Sequence, residues 1–220
     1  MILAGVNGKM ATTISDNKKS RGRPKVFDRE DALEKAMTLF WQHGYEGTSL
    51  SHLVAATGAK APTLYAEFTN KEGLFRAVLE HYIARFTDQY ETCLFGESGS
   101  VIEVLETFLT AIARCFTAEG TPSGCFIVST SSGLGASSQD IADTIKARHT
   151  MQDESLARFL RERQQQGELS EHCDTDAVAK YLSCIIRGMS VSARDGASSQ
   201  ELLSLVATTI KLLPVLIKTD

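Results

Sequence analysis

The chain of 220 residues predicts an all-α fold. Apolar residues recur at i, i+3, i+4 and i+7 in one segment after another, the period of a helix with a single buried face. No sustained apolar–polar alternation bounded by hairpin turns occurs. There are only four prolines, and the stretches rich in Gly, Ser and Pro fall between the periodic segments. With 43% apolar and 23% charged residues, the composition is that of a soluble globular protein long enough for one large domain or two small ones.

The first helix opens after Asp28, a suitable N-cap, with Glu30 and Asp31 where carboxylates complement the helix dipole. Leu33, Ala36, Met37, Phe40 and Trp41 form its buried stripe, and Gly44 ends it. Thr48 is the predicted cap of a short second helix whose Leu50, Leu53 and Val54 share a face, and Gly58 supplies a permissive turn. A third short helix, about 61–68, carries Pro62 in its first turn, where a missing N–H costs nothing. Asn70 caps a longer fourth helix, apolar at Leu74, Phe75, Val78, Leu79, Tyr82, Ile83 and Phe86. Beyond a Gly/Ser break at 96–100, helices are predicted at about 101–118, 125–133, 139–166, 175–192 and 199–213, with Pro214 bending or ending the last.

Charge is unevenly spread. Residues 1–76 hold 11 Lys/Arg against 8 Asp/Glu, whereas the whole chain has a net charge of −4. A basic end on an acidic body suggests a polyanion-binding module joined to a part with another task. Met1 to about Ser20 reads as a disordered leader. Lys18, Lys19, Arg21, Arg23 and Lys25 then form an arm without an intervening carboxylate. Arg-Gly-Arg-Pro resembles minor-groove AT-binding peptides, since a narrow minor groove concentrates negative potential that attracts arginine.

The segment 48–68, two short helices around a glycine turn, has helix-turn-helix dimensions. In such units the N-terminal residues of the second helix reach base edges in the major groove. Here these are Ala59, Lys60, Ala61, Pro62 and Thr63, small or polar as a face against base pairs requires. Lys60 suits guanine or phosphate, and Thr63 offers a methyl and a hydroxyl. Thr48, with its hydroxyl and backbone N–H at a helix start, Ser49 and Lys71 are candidate phosphate contacts.

From Phe27 to Tyr82 the sequence resembles the DNA-binding domain of the tetracycline-repressor (TetR) family of bacterial regulators. Matching features are Ala32, Phe40, Gly44-Tyr45, Thr48-Ser49, Gly58, Leu64-Tyr65, Phe68, Lys71-Glu72 and Leu74-Phe75, in register without a gap. The resemblance implies a three-helix helix-turn-helix domain over 26–86, with 1–25 ahead of it. It also implies a helical ligand-binding and dimerisation domain over 87–220. Tyr65 and Lys71 would touch the sugar-phosphate backbone while 59–63 read bases. Family members often carry a second acidic residue where this chain has Gly73, a difference expected to loosen the start of the fourth helix.

A lone helix-turn-helix makes few base contacts, so the family logic is a homodimer reading a near-palindrome. Val178, Tyr181, Leu182, Ile185, Ile186 and Met189 on one late helix are the candidate interface, with Leu202, Leu203, Leu205, Val206, Ile210 and Leu213 on the next. The middle helices would enclose an effector pocket lined by Phe86, Tyr90, Phe108, Ile112, Phe116, Cys125, Phe126 and Met151, residues whose helical spacing equally suits plain core.

The resulting expectation is a ligand-responsive repressor of a DNA operator, released by a small molecule. A redox- or electrophile-switched repressor acting through Cys125 is the alternative, because a helix N-terminus lowers a thiol's pKa. The five cysteines, odd in number and without CxxC or His spacing, read as reduced thiols in the cytoplasm, with no metal site and no cofactor. No secretion signal is recognised and no run approaches 18 apolar residues. Catalysis is not expected: the "GLGAS" at 133–137 follows no strand and completes no GxGxxG, and GxSxG and HExxH are missing. A protein-interaction module without DNA binding is opposed by the basic arm with Lys60, Tyr65 and Lys71.

Overall fold

Asp28 opens α1 (Arg29–Gly47) as its pattern requires: the carboxylate accepts the backbone N–H of Glu30 at 3.0 Å and of Asp31 at 3.2 Å. The computed structural model describes residues 27–96, 98–131 and 139–217, and the arm with Arg21, Arg23 and Lys25 lies outside them. Gly44, at φ +72°, breaks the regular turn of α1, a conformation open to glycine and strained for other residues. α2 (Leu50–Thr57) and α3 (Ala61–Phe68) follow, then α4 (Lys71–Phe95), α5 (Val101–Phe116), α6 (Phe126–Ser131), α7 (Gln139–Gln165), α8 (Thr175–Arg194) and α9 (Ser199–Ile217). No strand occurs among the described residues.

Three local expectations are corrected. α2 is capped by Ser49, whose Oγ accepts the His52 N–H at 3.2 Å, and not by Thr48. Thr48 is fully buried instead, its hydroxyl donating to the Gly44 carbonyl at 2.7 Å and tying down the end of α1. α9 runs through Pro214 to Ile217, so the proline neither ends the helix nor stops its inner face from continuing. Gly73 does not loosen α4: a Cβ there would lie 2.0 Å from the Phe68 carbonyl oxygen, so glycine lets α3 and α4 meet across a tight turn. Thr69 in that turn has φ +70°, unusual for a β-branched residue.

The N-terminal unit closes around Leu33, Phe40, Leu53, Leu64, Leu74 and Phe75, all at most 1% exposed. Each such side chain contributes about 1.5–3 kcal/mol by leaving water. Arg29 adds a bond to Glu67 at 2.9 Å that ties α1 to α3, but both groups are well exposed and the pair is worth under about 1 kcal/mol. In the second half α5 packs on α9 and α7 on α8, while α4 spans both halves, crossing residue 86 without a break. α6 is short but central, lying against α1 on one side and α7 and α8 on the other.

α9 has the length and hydropathy of a membrane-crossing helix. Its Leu202, Val206, Thr209, Leu213 and Ile217 are nevertheless buried within the subunit. What stays exposed is a second apolar face with Leu205, Leu212, Val215 and Leu216.

Candidate nucleic-acid interface and internal cavity

α3 divides its residues by their spacing. Leu64 and Phe68, four apart, point into the core, at 1% and 5% exposure. That fixes the rotation of the helix and leaves Lys60, Pro62, Thr63 and Tyr65 on the solvent side, with Ala59 and Ala61 half-buried at its start. The turn before it is rigid: Gly58 takes the left-handed conformation, and the Thr57 hydroxyl both donates to the Leu53 carbonyl at 2.7 Å and accepts the Ala59 N–H at 3.2 Å. Lys60 occupies the N-cap position and makes no side-chain cap, since an ammonium has no acceptor to offer the free N–H groups of the first turn.

The phosphate candidates separate. Ser49 is half-buried beside the α2 N-terminus, where free helix N–H groups and the dipole favour an anion. Thr48 offers neither of the groups expected of it, because its hydroxyl serves Gly44 and its N–H donates to the Tyr45 carbonyl. Lys71, in the first turn of α4, places its Nζ 4.3 Å from the centre of the Tyr45 ring. Tyr45 in turn stacks on Phe40 and meets Phe75 edge-on, so the lysine stands on a core aromatic. Burial lowers the pKa of Lys71 from its ordinary value, with Glu46 opposing.

The second half encloses a cavity of about 360 Å³ among α4, α5, α6, α7 and α8. Six of the eight expected residues line it: Tyr90, Phe108, Ile112, Phe116, Cys125 and Met151. Phe86 and Phe126 do not. Phe126 is fully buried against Trp41, Phe75 and Tyr82, and Phe86 packs on Trp41 and Tyr82, so both belong to an aromatic joint with α1. Sequence reasoning missed Arg148, Gln152, Ser155, Ser183 and Arg187, which also line the cavity. Polar residues on an amphipathic helix read as a solvated face, and nothing local marks them as lining a lumen.

Cys125 is buried, with its Sγ 3.5 Å from the Tyr82 hydroxyl. Burial pushes the thiol above its ordinary value and outweighs the hydrogen bonds from Tyr82, Val128 and Ile127 that favour thiolate. The expectation of a thiol activated by the helix dipole is therefore corrected. The dimer candidates are corrected too. Val178, Leu182, Met189, Leu202, Val206 and Leu213 are buried inside the subunit. Tyr181, Ile185, Ile186, Leu203 and Ile210 are half-buried, and Leu205 is exposed.

Comparison with known proteins agrees with this geometry. Residues 32–78 match the family model described as bacterial regulatory proteins, tetR family, and residues 101–204 match a tetracyclin repressor-like C-terminal domain. The chain is 59% identical over 201 residues to the HTH-type transcriptional repressor ComR of Escherichia coli (strain K12), covering 91% of this chain and 96% of that one. It is 28% identical over 186 residues to the repressor BdcR of the same strain, covering 84% and 89%. Among solved structures, a cysteine mutant of the TetR family regulator CifR in complex with 26-bp operator DNA superposes with a TM-score of 0.82. That protein is 32% identical, with 86% of this chain and 98% of that one covered. On these grounds the chain belongs to the TetR family of bacterial regulatory proteins.

Proposed function

We propose that this protein is a homodimeric transcriptional repressor that occupies a near-palindromic operator and leaves it when a small molecule fills the internal cavity. The observation that carries the reading is the orientation of α3: Leu64 and Phe68 hold it from behind while Lys60, Pro62, Thr63 and Tyr65 face outward. Ala59 to Thr63 read base edges, and Tyr65, Ser49 and Lys71 hold the sugar-phosphate backbone. The cationic arm, Arg21, Arg23 and Lys25 included, adds a salt-dependent hold on the adjoining minor groove. The N-terminal unit, 26–86, binds DNA in the cytoplasm, and 87–220 pairs the subunits and senses the effector.

Dimerisation uses the outer rather than the inner faces of α8 and α9. Leu205, Leu212, Val215 and Leu216 on α9 and Val191 on α8 are exposed apolar residues that a second copy would cover. A second copy held through this patch fixes the distance between the two α3 helices. Release works through α6. Ile127 and Val128 line the cavity while Phe126 between them and Cys125 sits in the aromatic joint with α1. A ligand that displaces α6 or the cavity side of α4 therefore also moves the helix-turn-helix units.

Duplexes selected from a random pool provide the test. Selection of an inverted repeat, bound by two subunits and lost in the Lys60→Ala/Tyr65→Ala variant, is the expected result. Binding that survives this double substitution overturns the reading.

A further inference from the structure

We infer that the cavity takes an organic anion, with an apolar, preferably aromatic, body and a single carboxylate-type head seated at Arg148. The inference rests on reading the cavity as the effector site. Its inner wall is aromatic and aliphatic, with Tyr90 on α4 and Phe108 and Phe116 on α5. Charge enters from one side only, through Arg148 on α7 and Arg187 on α8, and no carboxylate is found among the described lining residues.

The two arginines are not equivalent. Arg187 donates to Asp153 at 2.6 Å, so its charge is matched within the protein. Arg148 has only a 3.6 Å contact from its guanidinium to the Met151 sulfur, and no carboxylate pairs with it among the described residues. Met151 beside it is 55% exposed, which puts this end of the cavity at its rim. Neighbouring His149 is shifted toward its neutral form by burial and then by the Arg187 charge, so it brings no second cation. One unmatched positive charge therefore stands at the rim of an apolar space.

An arginine in that position forms charge-assisted, often bidentate hydrogen bonds with a carboxylate. A cationic ligand would meet an unpaired like charge, and a neutral one would leave it unmatched. Gln152, one helical turn from Arg148 on α7, also lines the cavity and offers an amide to the second carboxylate oxygen. A volume of about 360 Å³ lies toward the small end of ligand pockets and suits one or two fused rings with a short polar group.

Titration calorimetry of the full chain with three matched probes tests this: 2-naphthoate, 2-naphthylmethanol and 2-naphthylmethylammonium. The expected result is one naphthoate per subunit, bound at least about tenfold more tightly than either other probe. Arg148→Gln should abolish that preference, and Arg148→Glu should shift it toward the ammonium. Gln152→Trp, which fills the lumen from its polar side, should remove binding of all three. If the alcohol or the ammonium binds the unmodified protein as tightly as naphthoate, or if Arg148→Gln keeps the preference, the anion inference fails while the effector cavity stands. If naphthoate binding persists in Gln152→Trp, the ligand sits elsewhere and the inference fails. If none of the three probes binds, the effector-site reading fails with it.

Discussion

Trp41 of α1 and Phe126 of α6 meet edge-on, with ring centroids 6.0 Å apart. Phe126 directly follows Cys125 in the cavity wall, so one aromatic contact joins the lumen to the helix that supports the helix-turn-helix. Trp41 also touches Tyr82 and Phe86 of α4 in the same geometry. Phe126→Ala should cost about 3–5 kcal/mol of unfolding free energy in urea, because a fully buried ring would leave a cavity. A loss below about 1 kcal/mol would mean that the joint is loosely packed.

Lys60 and Tyr65 are outward-facing members of α3, and their replacement should leave the fold intact. Lys60→Ala is expected to weaken operator binding by about 1–3 kcal/mol while the thermal midpoint stays within error. If the ammonium meets a phosphate, the slope of log affinity against log salt should also shrink by about 1. Fluorescence anisotropy across a salt series separates the two modes.

Thr48 and Ser49 invite a direct contrast. Thr48→Val removes the donor to the half-buried Gly44 carbonyl and should cost about 0.5–1.5 kcal/mol of stability. Ser49→Ala removes the α2 cap, at a cost of about 1 kcal/mol, and a candidate phosphate contact as well. Operator affinity measured on the folded fraction should therefore fall for Ser49→Ala and hold for Thr48→Val.

Gly73 is expected to resist substitution. The methyl of Gly73→Ala would meet the Phe68 carbonyl oxygen, costing about 1–3 kcal/mol unless the turn shifts. Gly73→Asp, which places a second carboxylate in the first turn of α4, adds about 0.3–1 kcal/mol of favourable dipole interaction and should still destabilise. Chemical denaturation of both variants decides between strain and charge.

Glu34 links α1 to α4 through His81, at 2.8 Å, and Arg85. Burial alone would raise its pKa, but the hydrogen bonds from His81 and Arg85, together with the Arg85 charge, hold it below the ordinary 4.5. A depressed folded-state pKa means that the contribution is complete above about 4.5 and is lost as pH falls through the lower folded value. The stability of the native protein should therefore drop as the pH is lowered below about 4.5, a drop that Glu34→Gln lacks. The side chain is 41% exposed, so the difference should be small and weaken with added salt.

Much of the outward side of α3 was legible in the chain. Leu64 and Phe68 four apart fix which side of α3 is inner, and that reading needs no knowledge of the remainder of the molecule. The cavity was legible only in part. Tyr90, Phe108, Ile112 and Phe116 sit at helical spacing that suits a lumen and a solid core equally well, and the same signal placed Phe86 and Phe126 in the wrong set. Arg148 and Arg187 carried no local mark, since a lumen exists only where five helices fail to close.

Most helix starts, the caps at Asp28 and Asn70, the glycine turn at Gly58 and the outward placing of Lys60, Thr63 and Tyr65 follow from the sequence by itself, because each rests on interactions within a few residues of chain. Tertiary structure alone decided that Thr48 faces inward, that burial raises the Cys125 thiol against its own hydrogen bonds, and that half of the expected interface on α8 and α9 is interior. Burial is set by whichever distant segment covers a residue, and apolar periodicity reports that a face is covered without reporting by what.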